Sequence, residues 1–491
     1  MSTLVTTTAG KVEGRTENNC RIFKGIPYAA PPFGDRRMRA PQPVERWDGV
    51  RPAIEPGPSV LKNPYRVPFD QILMEPHIPG EDSLNLNVWT PVDADALPVL
   101  VWIHGGAFVN GSGIVPQYDG SAFARDGVVC VTINYRLGAD GFLDTGDGET
   151  NLGLRDQIAA LQWVRQNIAA FGGDPSNVTI AGESAGAMSV TALLSSPLAT
   201  GLFRRVIAQS GAGHHALERS DAAIIAREIA TRLGVEPTRE AIAAAPVADL
   251  LATQVQLAYD LATQPDPSRW GKAAVNLMAF EPVIDGDVLP ALPYEAIRRG
   301  AGAGVDVLIG TNSEEYRFFV VPNGLIGMIN EPLMALGLAA MGLPLQTAKE
   351  LYGANGATAG DISAAAMTDW FFRIPAIRLA EAHSANGQQA HMYEFAWRSP
   401  LFDGAFGAVH YLEVPFMFDT LGAEGSHAIT GPNPPQDLAD RMHAAWVRFV
   451  KTGDPGWAAY GERRATQRFD VRDEIVEDPH PQSRAAWDGI R

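Results

Sequence analysis

Cysteine is nearly missing from this chain: Cys20 and Cys130 are the only two in 491 residues. Two thiols make no disulfide framework of the kind that staples small secreted domains. Cys130 sits in Val128-Val129-Cys130-Val131-Thr132-Ile133, where it reads as a small buried hydrophobe in a strand. Excess positive charge is missing too. Lysine and arginine total 39 against 56 acidic residues, a net charge of −17, which argues against a nucleic-acid surface and favours solubility. Long apolar runs are also absent: the most apolar region, 318–345, is broken by Pro322, Asn323, Asn330, Glu331 and Pro332. Its longest clean stretch falls short of the roughly 20 residues a spanning helix needs, so no membrane partner is expected. Residues 1–8, Met-Ser-Thr-Leu-Val-Thr-Thr-Thr, have no basic head and no apolar core, so no secretory signal is expected and the chain reads as cytoplasmic. No metal-ligand spacing and no Gly-rich nucleotide fingerprint occur, which predicts no metal and no other cofactor.

What is present is an ordinary globular composition, 46% hydrophobic and 19% charged, able to bury a sizeable core. No repeat, low-complexity block or linker divides it. A short β-branched run, a Gly-rich turn and a helical periodicity recur instead. Pro98–Ile103 is one such run and stops at His104-Gly105-Gly106; Val128–Asn134 is a second. Asn151–Phe171 then carries Leu154, Ile158, Leu161 and Ile168 at helical spacing, ended by Gly172-Gly173-Asp174-Pro175. Asn177–Ala181, Arg205–Ala208, Val305–Ile309 and His391–Phe395 are further runs. Continuous apolar strands alternating with helices imply an α/β chain with a large, mostly parallel central sheet flanked by helices. In such sheets function gathers in the loops at the carboxyl ends of the strands. The expectation is one domain over 1–491, with mainly helical insertions at about 220–304 and 318–383 that wall the active-site gorge.

Gly182-Glu183-Ser184-Ala185-Gly186 follows the strand ending at Ala181 and precedes a helix-compatible stretch to Leu194. A strand turning sharply into a helix tolerates only small neighbours, and it lifts the serine hydroxyl toward a helix N-terminus. Ser184 is therefore the candidate nucleophile. Acyl transfer at such a serine needs two or three backbone N–H donors for the oxyanion. The turn Ile103–Phe108 suits this, and Gly106, Ala107 and Ala185 are the candidate donors. His104 precedes the serine and reads as a brace for that loop, since a serine of this type is followed in the chain by its acid and then by its histidine. The strand Val305–Ile309 runs into Gly310-Thr311-Asn312-Ser313-Glu314-Glu315, where two glutamates compete for the acid's place. Asp285 and Asp287 sit in an Asp-Gly-Asp turn and read as structural. Six histidines follow. His410, in the Gly-rich loop Gly404–His410 after a strand, is the best-placed base.

With these residues assembled, the chain resembles the type-B carboxylesterases, the family of cholinesterases and bacterial para-nitrobenzyl esterases. The resemblance runs through Phe23–Pro32, Glu81–Val88, Trp102–Phe108, Asn134–Gly138, Gly182–Gly186, Gln209–Gly211 and Thr452–Pro455. It implies the α/β-hydrolase fold and a serine carboxylesterase that hydrolyses a small-molecule ester through an acyl-enzyme. It also chooses between the glutamates: the family's triad acid falls on Glu315, and its histidine on His410. By the same comparison Ser210 and Glu413 look like groups that orient the histidine. Two positions depart from the family pattern. Ser83 stands where the family usually has a cysteine, and Tyr316 follows the acid where a glycine is usual. The substrate pocket is expected along Tyr65–Met74, near His214 and His215, and along Phe318–Met341, apolar stretches that suit uncharged or aromatic esters.

Overall fold

The computed structural model describes residues 3–491, so Met1 and Ser2 of the amino-terminal segment lie outside the described residues. Its centre is an eleven-stranded mixed sheet. In chain order the strands are β1 (Arg15–Glu17), β2 (Cys20–Pro27), β3 (Asn85–Pro91), β4 (Leu97–Ile103), β5 (Val129–Ile133), β6 (Gly173–Glu183), β7 (Arg205–Gln209), β8 (Asp306–Asn312), β9 (Ala390–Phe395), β10 (Ala465–Phe469) and β11 (Glu474–Glu477). Across the sheet they lie in the order β11-β10-β9-β8-β7-β6-β4-β5-β3-β2-β1. The stretch from β10 to β5 is parallel throughout. Antiparallel strands close both edges.

The apolar runs explain this order. Every residue of β5 and β7 is buried, because helices cover both faces of the sheet and each strand must present apolar groups to both. Successive side chains alternate between two cores. Val99, Val101 and Ile103 of β4 join one core with α1 (Leu152–Asn167), α2 (Ala185–Ser195) and α3 (Ile374–Ala385). Leu100 and Trp102 join the other, together with Leu438, Met442, Trp446 and Phe449 of α4 (Gln436–Thr452).

Sequence reading passes over β1, β2, β3, β10 and β11, which carry polar residues among their apolar ones. In β3, Asn85 and Asn87 are fully enclosed yet paired: Asn85 Nδ2 donates to Pro58 O at 2.9 Å and Asn87 Nδ2 to Thr132 Oγ1 at 2.9 Å. β6 also starts earlier than Asn177, because Gly173 already pairs with Leu97. The two helix-rich insertions differ from expectation in detail. The first contains a parallel two-stranded ladder, Leu217–Glu218 beside Val283–Ile284. The second runs through Glu331–Met341, Leu345–Tyr352, Ala359–Thr368 and a π-helical turn at Asp369–Arg373. It ends in α3, which packs back against β8 and β9 as a sheet-covering helix. No helix among the described residues is long and apolar enough to cross a membrane.

Candidate active site

Ser184 links the end of β6 to the start of α2 with φ 57° and ψ −125°, a conformation that a serine keeps only under tertiary restraint. Gln209 O accepts its backbone N–H at 2.9 Å, and its carbonyl accepts the first helical bond from Met188 at 2.9 Å. The flanking glycines are there for space. A Cβ on Gly182 would meet Gly186 C at 2.5 Å and Ile103 O at 2.7 Å, and a Cβ on Gly186 would overlap Ile103 O.

Two loops bring the candidate acid and the candidate base together. Ser313 N donates to Phe395 O and Glu314 N to Ala408 O, both at 2.9 Å, so the loop after β8 is laced to the loop after β9. His410 N donates to Glu315 O at 3.3 Å. Within that lacing the two glutamates face opposite ways. Glu314 is 22% exposed and pairs with Arg398, whereas the Glu315 side chain is wholly buried, with Oε2 2.7 Å from His410 Nδ1. Asn312 N donates to Glu315 Oε1 at 2.7 Å. Tyr316 keeps an ordinary helical backbone, φ −73°, so its place in the loop does not require glycine. Its N–H donates to Thr368 Oγ1 at 3.0 Å.

Glu183 is the group that sequence reasoning misses. It occupies a variable position of the glycine-serine-glycine pattern, and only its place at the carboxyl end of β6, beside the turn, could have marked it. The structure puts its Oε1 3.1 Å from His410 Nε2 in a buried setting. Burial pulls the imidazole down, but Glu183 and then Glu315 outweigh it, and His410 is raised to about 9. Burial likewise pushes Glu183 well above the usual carboxylate range. The Ser184 hydroxyl has no hydrogen-bond partner among the described residues.

On the other side of the serine, the amides of Gly106 and Ala107 donate to no protein acceptor among the described residues. Ala185 N–H heads α2, where a helix leaves its first amides free. His104 braces this loop as expected. Its Nδ1 lies 2.8 Å from Gly105 O, its ring stacks on Tyr135 at 4.5 Å, and burial pulls it down to about 3. It stays neutral at physiological pH.

Ser184, His410, Glu183, Gly106, Ala107 and Ala185 border one cavity of about 320 Å³. Tyr65, Phe69, Leu73, Met74, Met188, Leu277 and Met278 line it. Phe318, Phe319, Phe371 and Phe372 close it, and the Phe372 ring lies 4.6 Å from that of His410. Among the described residues no lysine or arginine lines it, and Glu183 and His410 are the only carboxylate and imidazole that do.

The sequence profile of the carboxylesterase family matches residues 1–467. The chain belongs to the carboxylesterase family. Para-nitrobenzyl esterase of Bacillus subtilis is 38% identical over 500 residues, spanning 98% of this chain and 97% of that one. Phenmedipham hydrolase of Pseudarthrobacter oxydans is 37% identical, spanning 91% and 90%. The crystal structure of the Geobacillus stearothermophilus carboxylesterase EST55 superposes with a TM-score of 0.86 at 39% identity, covering 99% and 100%. The fold is the α/β-hydrolase fold, and the protein is a carboxylic ester hydrolase with the serine mechanism of its family.

Two expectations about the cavity of this carboxylesterase are refined, and Ser210 and Glu413 are placed beside the site. His214 and His215 stand behind the cavity wall, not in it: His215 packs its ring on Phe371 at 4.3 Å and His214 on Tyr294 at 4.6 Å. Of the stretch 318–341 only Phe318 and Phe319 reach the cavity; the helix Glu331–Met341 turns Leu333 and Leu336 outward, and the residues that replace it are Phe371 and Phe372 on the π-helical turn. Ser210 and Glu413 make no hydrogen bond to His410. The Ser210 hydroxyl is buried without a partner, and Glu413 accepts from Gln209 Nε2 at 3.1 Å and from Asn312 Nδ2 at 2.6 Å. Glu413 thus touches the acid's loop. Burial and the neighbouring Glu315 raise it to about 7.

Proposed function

We propose that Ser184, His410 and Glu315 form the catalytic triad of this esterase, with Gly106, Ala107 and Ala185 donating to the oxyanion. The observation that carries this reading is the 2.7 Å contact between His410 Nδ1 and buried Glu315 Oε2, in an imidazole that borders the same cavity as Ser184. His410 takes the Ser184 proton as Oγ attacks the ester carbonyl, and the carbonyl electron pair becomes an oxyanion on the three amides. The imidazolium then protonates the departing alcohol, leaving an acyl-serine. Water attacks it by the same route, returning the proton to Ser184 and releasing the acid. Glu315 holds the Nδ1 proton and stabilises the imidazolium without becoming protonated. In the resting arrangement Nε2 faces Glu183; hydrogen bonds of this kind tighten onto the nucleophile when substrate fills the site.

The substrates are small uncharged esters with an apolar or aromatic acyl or alcohol group. The aromatic and methionine walls and the lack of a lining cation support this. So does the name of the para-nitrobenzyl esterase relative. The whole chain acts as one catalytic domain, a reading supported by a core that contains both Val5 and Trp487. Free, buried Cys20 and Cys130 support a cytoplasmic site of action. An organophosphonate should label the native protein once, on Ser184, as read by peptide mass spectrometry. A folded protein that stays unlabelled, or carries the label elsewhere, would sink the assignment.

The pH profile provides a second check. Only neutral His410 can accept the serine proton, so kcat/KM rises with pH as the imidazole deprotonates, here toward about 9. Glu183→Gln removes the carboxyl whose ionised form favours the imidazolium, so the ascending limb is expected to move to lower pH. Rates measured from pH 5 to 10 test this, and a limb that stays put or moves upward contradicts it.

A further inference from the structure

The loop that carries two of the oxyanion amides is held in a conformation its own residues disfavour. Gly106, Ala107, Phe108 and Gly111 have φ of 112°, 52°, 60° and 100°. For alanine and phenylalanine such angles persist only where the surroundings over-determine them. At one end the loop is closed on itself, with Val109 N and Asn110 N both donating to Gly106 O at 3.0 and 2.9 Å. Its other end meets a buried ion pair that the triad does not use. Lys62 Nζ lies 3.2 Å from Glu75 Oε1, and the two side chains are only 2% and 8% exposed.

Nearly every polar atom of that pair is committed to the loop or to the cavity wall beside it. Glu75 Oε1 accepts from Gly111 N at 2.9 Å, and both carboxylate oxygens lie 3.1 Å from Asn110 Nδ2. Lys62 Nζ donates to Gly111 O at 2.6 Å, so the pair grips both the N–H and the C=O of one residue. Glu75 Oε2 also accepts from Tyr65 N at 3.0 Å, tying the cavity wall to the same carboxylate. A buried, charge-assisted anchor is stronger and more directional than neutral hydrogen bonds. Without it the buried Gly111 would lose the protein partners of both its N–H and its C=O.

We propose that the buried Lys62–Glu75 pair is a positioning device for the oxyanion hole, holding the Gly106 and Ala107 amides where a transition-state oxyanion forms. This rests on the triad and oxyanion reading above. The pair touches no substrate; it acts through Gly111 and Asn110. Losing it leaves the triad intact while the amides drift and the Tyr65 wall loosens, so the effect falls mainly on kcat and only slightly on KM.

The test uses three readouts on the full chain: kcat and KM for a para-nitrophenyl ester, thermal midpoint, and the inhibition constant of an aryl trifluoromethyl ketone. Ser184 Oγ adds to the ketone carbon, its proton passes to His410, and the carbonyl pair becomes an oxyanion on the same amides. Glu75→Ala is expected to lower kcat about 100-fold with KM within about threefold, and to weaken the ketone in the same proportion as kcat. That variant strands the Lys62 ammonium and can fail to fold. The double variant Lys62→Met/Glu75→Gln, which buries no charge, is therefore expected to fold and to lose about tenfold in kcat and in ketone affinity together. A double variant with a lower thermal midpoint but unchanged kcat and ketone affinity overturns the proposal and leaves a merely structural pair. If the unmodified protein is not phosphonylated on Ser184, the reading beneath the proposal fails and both fall. If it is phosphonylated while the variants keep full kcat and ketone affinity, only the positioning role falls.

Discussion

Ser184→Ala should lower kcat for a short para-nitrophenyl ester about a million-fold and abolish phosphonate labelling. The size of the loss follows from the way the parts act together. His410 is a base only toward a hydroxyl at the turn, and the amides of Gly106, Ala107 and Ala185 are of use only to an oxyanion produced by that attack. Alanine fits the turn without new overlap, because the hydroxyl has no hydrogen bond among the described residues and its loss leaves no buried partner unpaired. The fold and the thermal midpoint should therefore be retained, so the loss can be assigned to chemistry. A folded alanine variant that still turns over at one-tenth of the native rate would mean that another residue is the nucleophile.

Glu315→Gln should cost about 10⁴-fold in kcat, whereas Glu314→Gln should cost less than about threefold. Glutamine at 315 is nearly isosteric and can still accept the Asn312 N–H, so the loop remains closed. Its amide presents a donor where the carboxylate accepted the Nδ1 proton. The imidazole then settles with its proton on Nε2 and cannot take one from Ser184. Glu314 is part-exposed, and its partners are Arg398, Arg317 and Ala408 N. Steady-state rates of both variants decide the matter. A large loss at Glu314 and a small one at Glu315 would reverse the assignment.

These two residues also show where sequence reasoning stops. Adjacent glutamates after a strand are chemically equal on paper, and no spacing rule separates them. Family resemblance pointed to Glu315; in the structure the lacing of the β8 loop to the β9 loop turns one carboxylate inward and the other out. Ser184 was legible earlier, because a turn that admits only glycine at 182 and 186 writes its steric demand directly into the chain. His410 was legible as the histidine of a Gly-rich loop after a strand, and again by resemblance to the family. Glu183 and the Lys62–Glu75 pair were not legible at all. Their importance depends on atoms more than a hundred residues away for Glu183, and on a loop some 35 residues away for Glu75.

The cavity was half legible for a similar reason. Apolar stretches at 65–74 and 318–319 do line it, but an apolar helix such as Glu331–Met341 looks the same in sequence whether it faces substrate or solvent. The π-helical turn at Asp369–Arg373 supplies Phe371 and Phe372 instead, through a helical irregularity that residue periodicity does not register.

By itself the sequence determined the alternation of buried strands and covering helices, the site of the strained serine turn, the small-residue loop opposite it, and membership of a chemistry that needs serine, acid and histidine in that order. Those features are local: a run of β-branched residues, a pair of obligatory glycines and a missing cysteine each act within a few residues. How the two adjacent glutamates are turned, which aromatic rings close the cavity and which buried groups grip the loop at Gly111 were decided only by the tertiary structure. Each of these is a contact between segments brought together by the packing of the sheet, and its free energy depends on burial that no single segment provides.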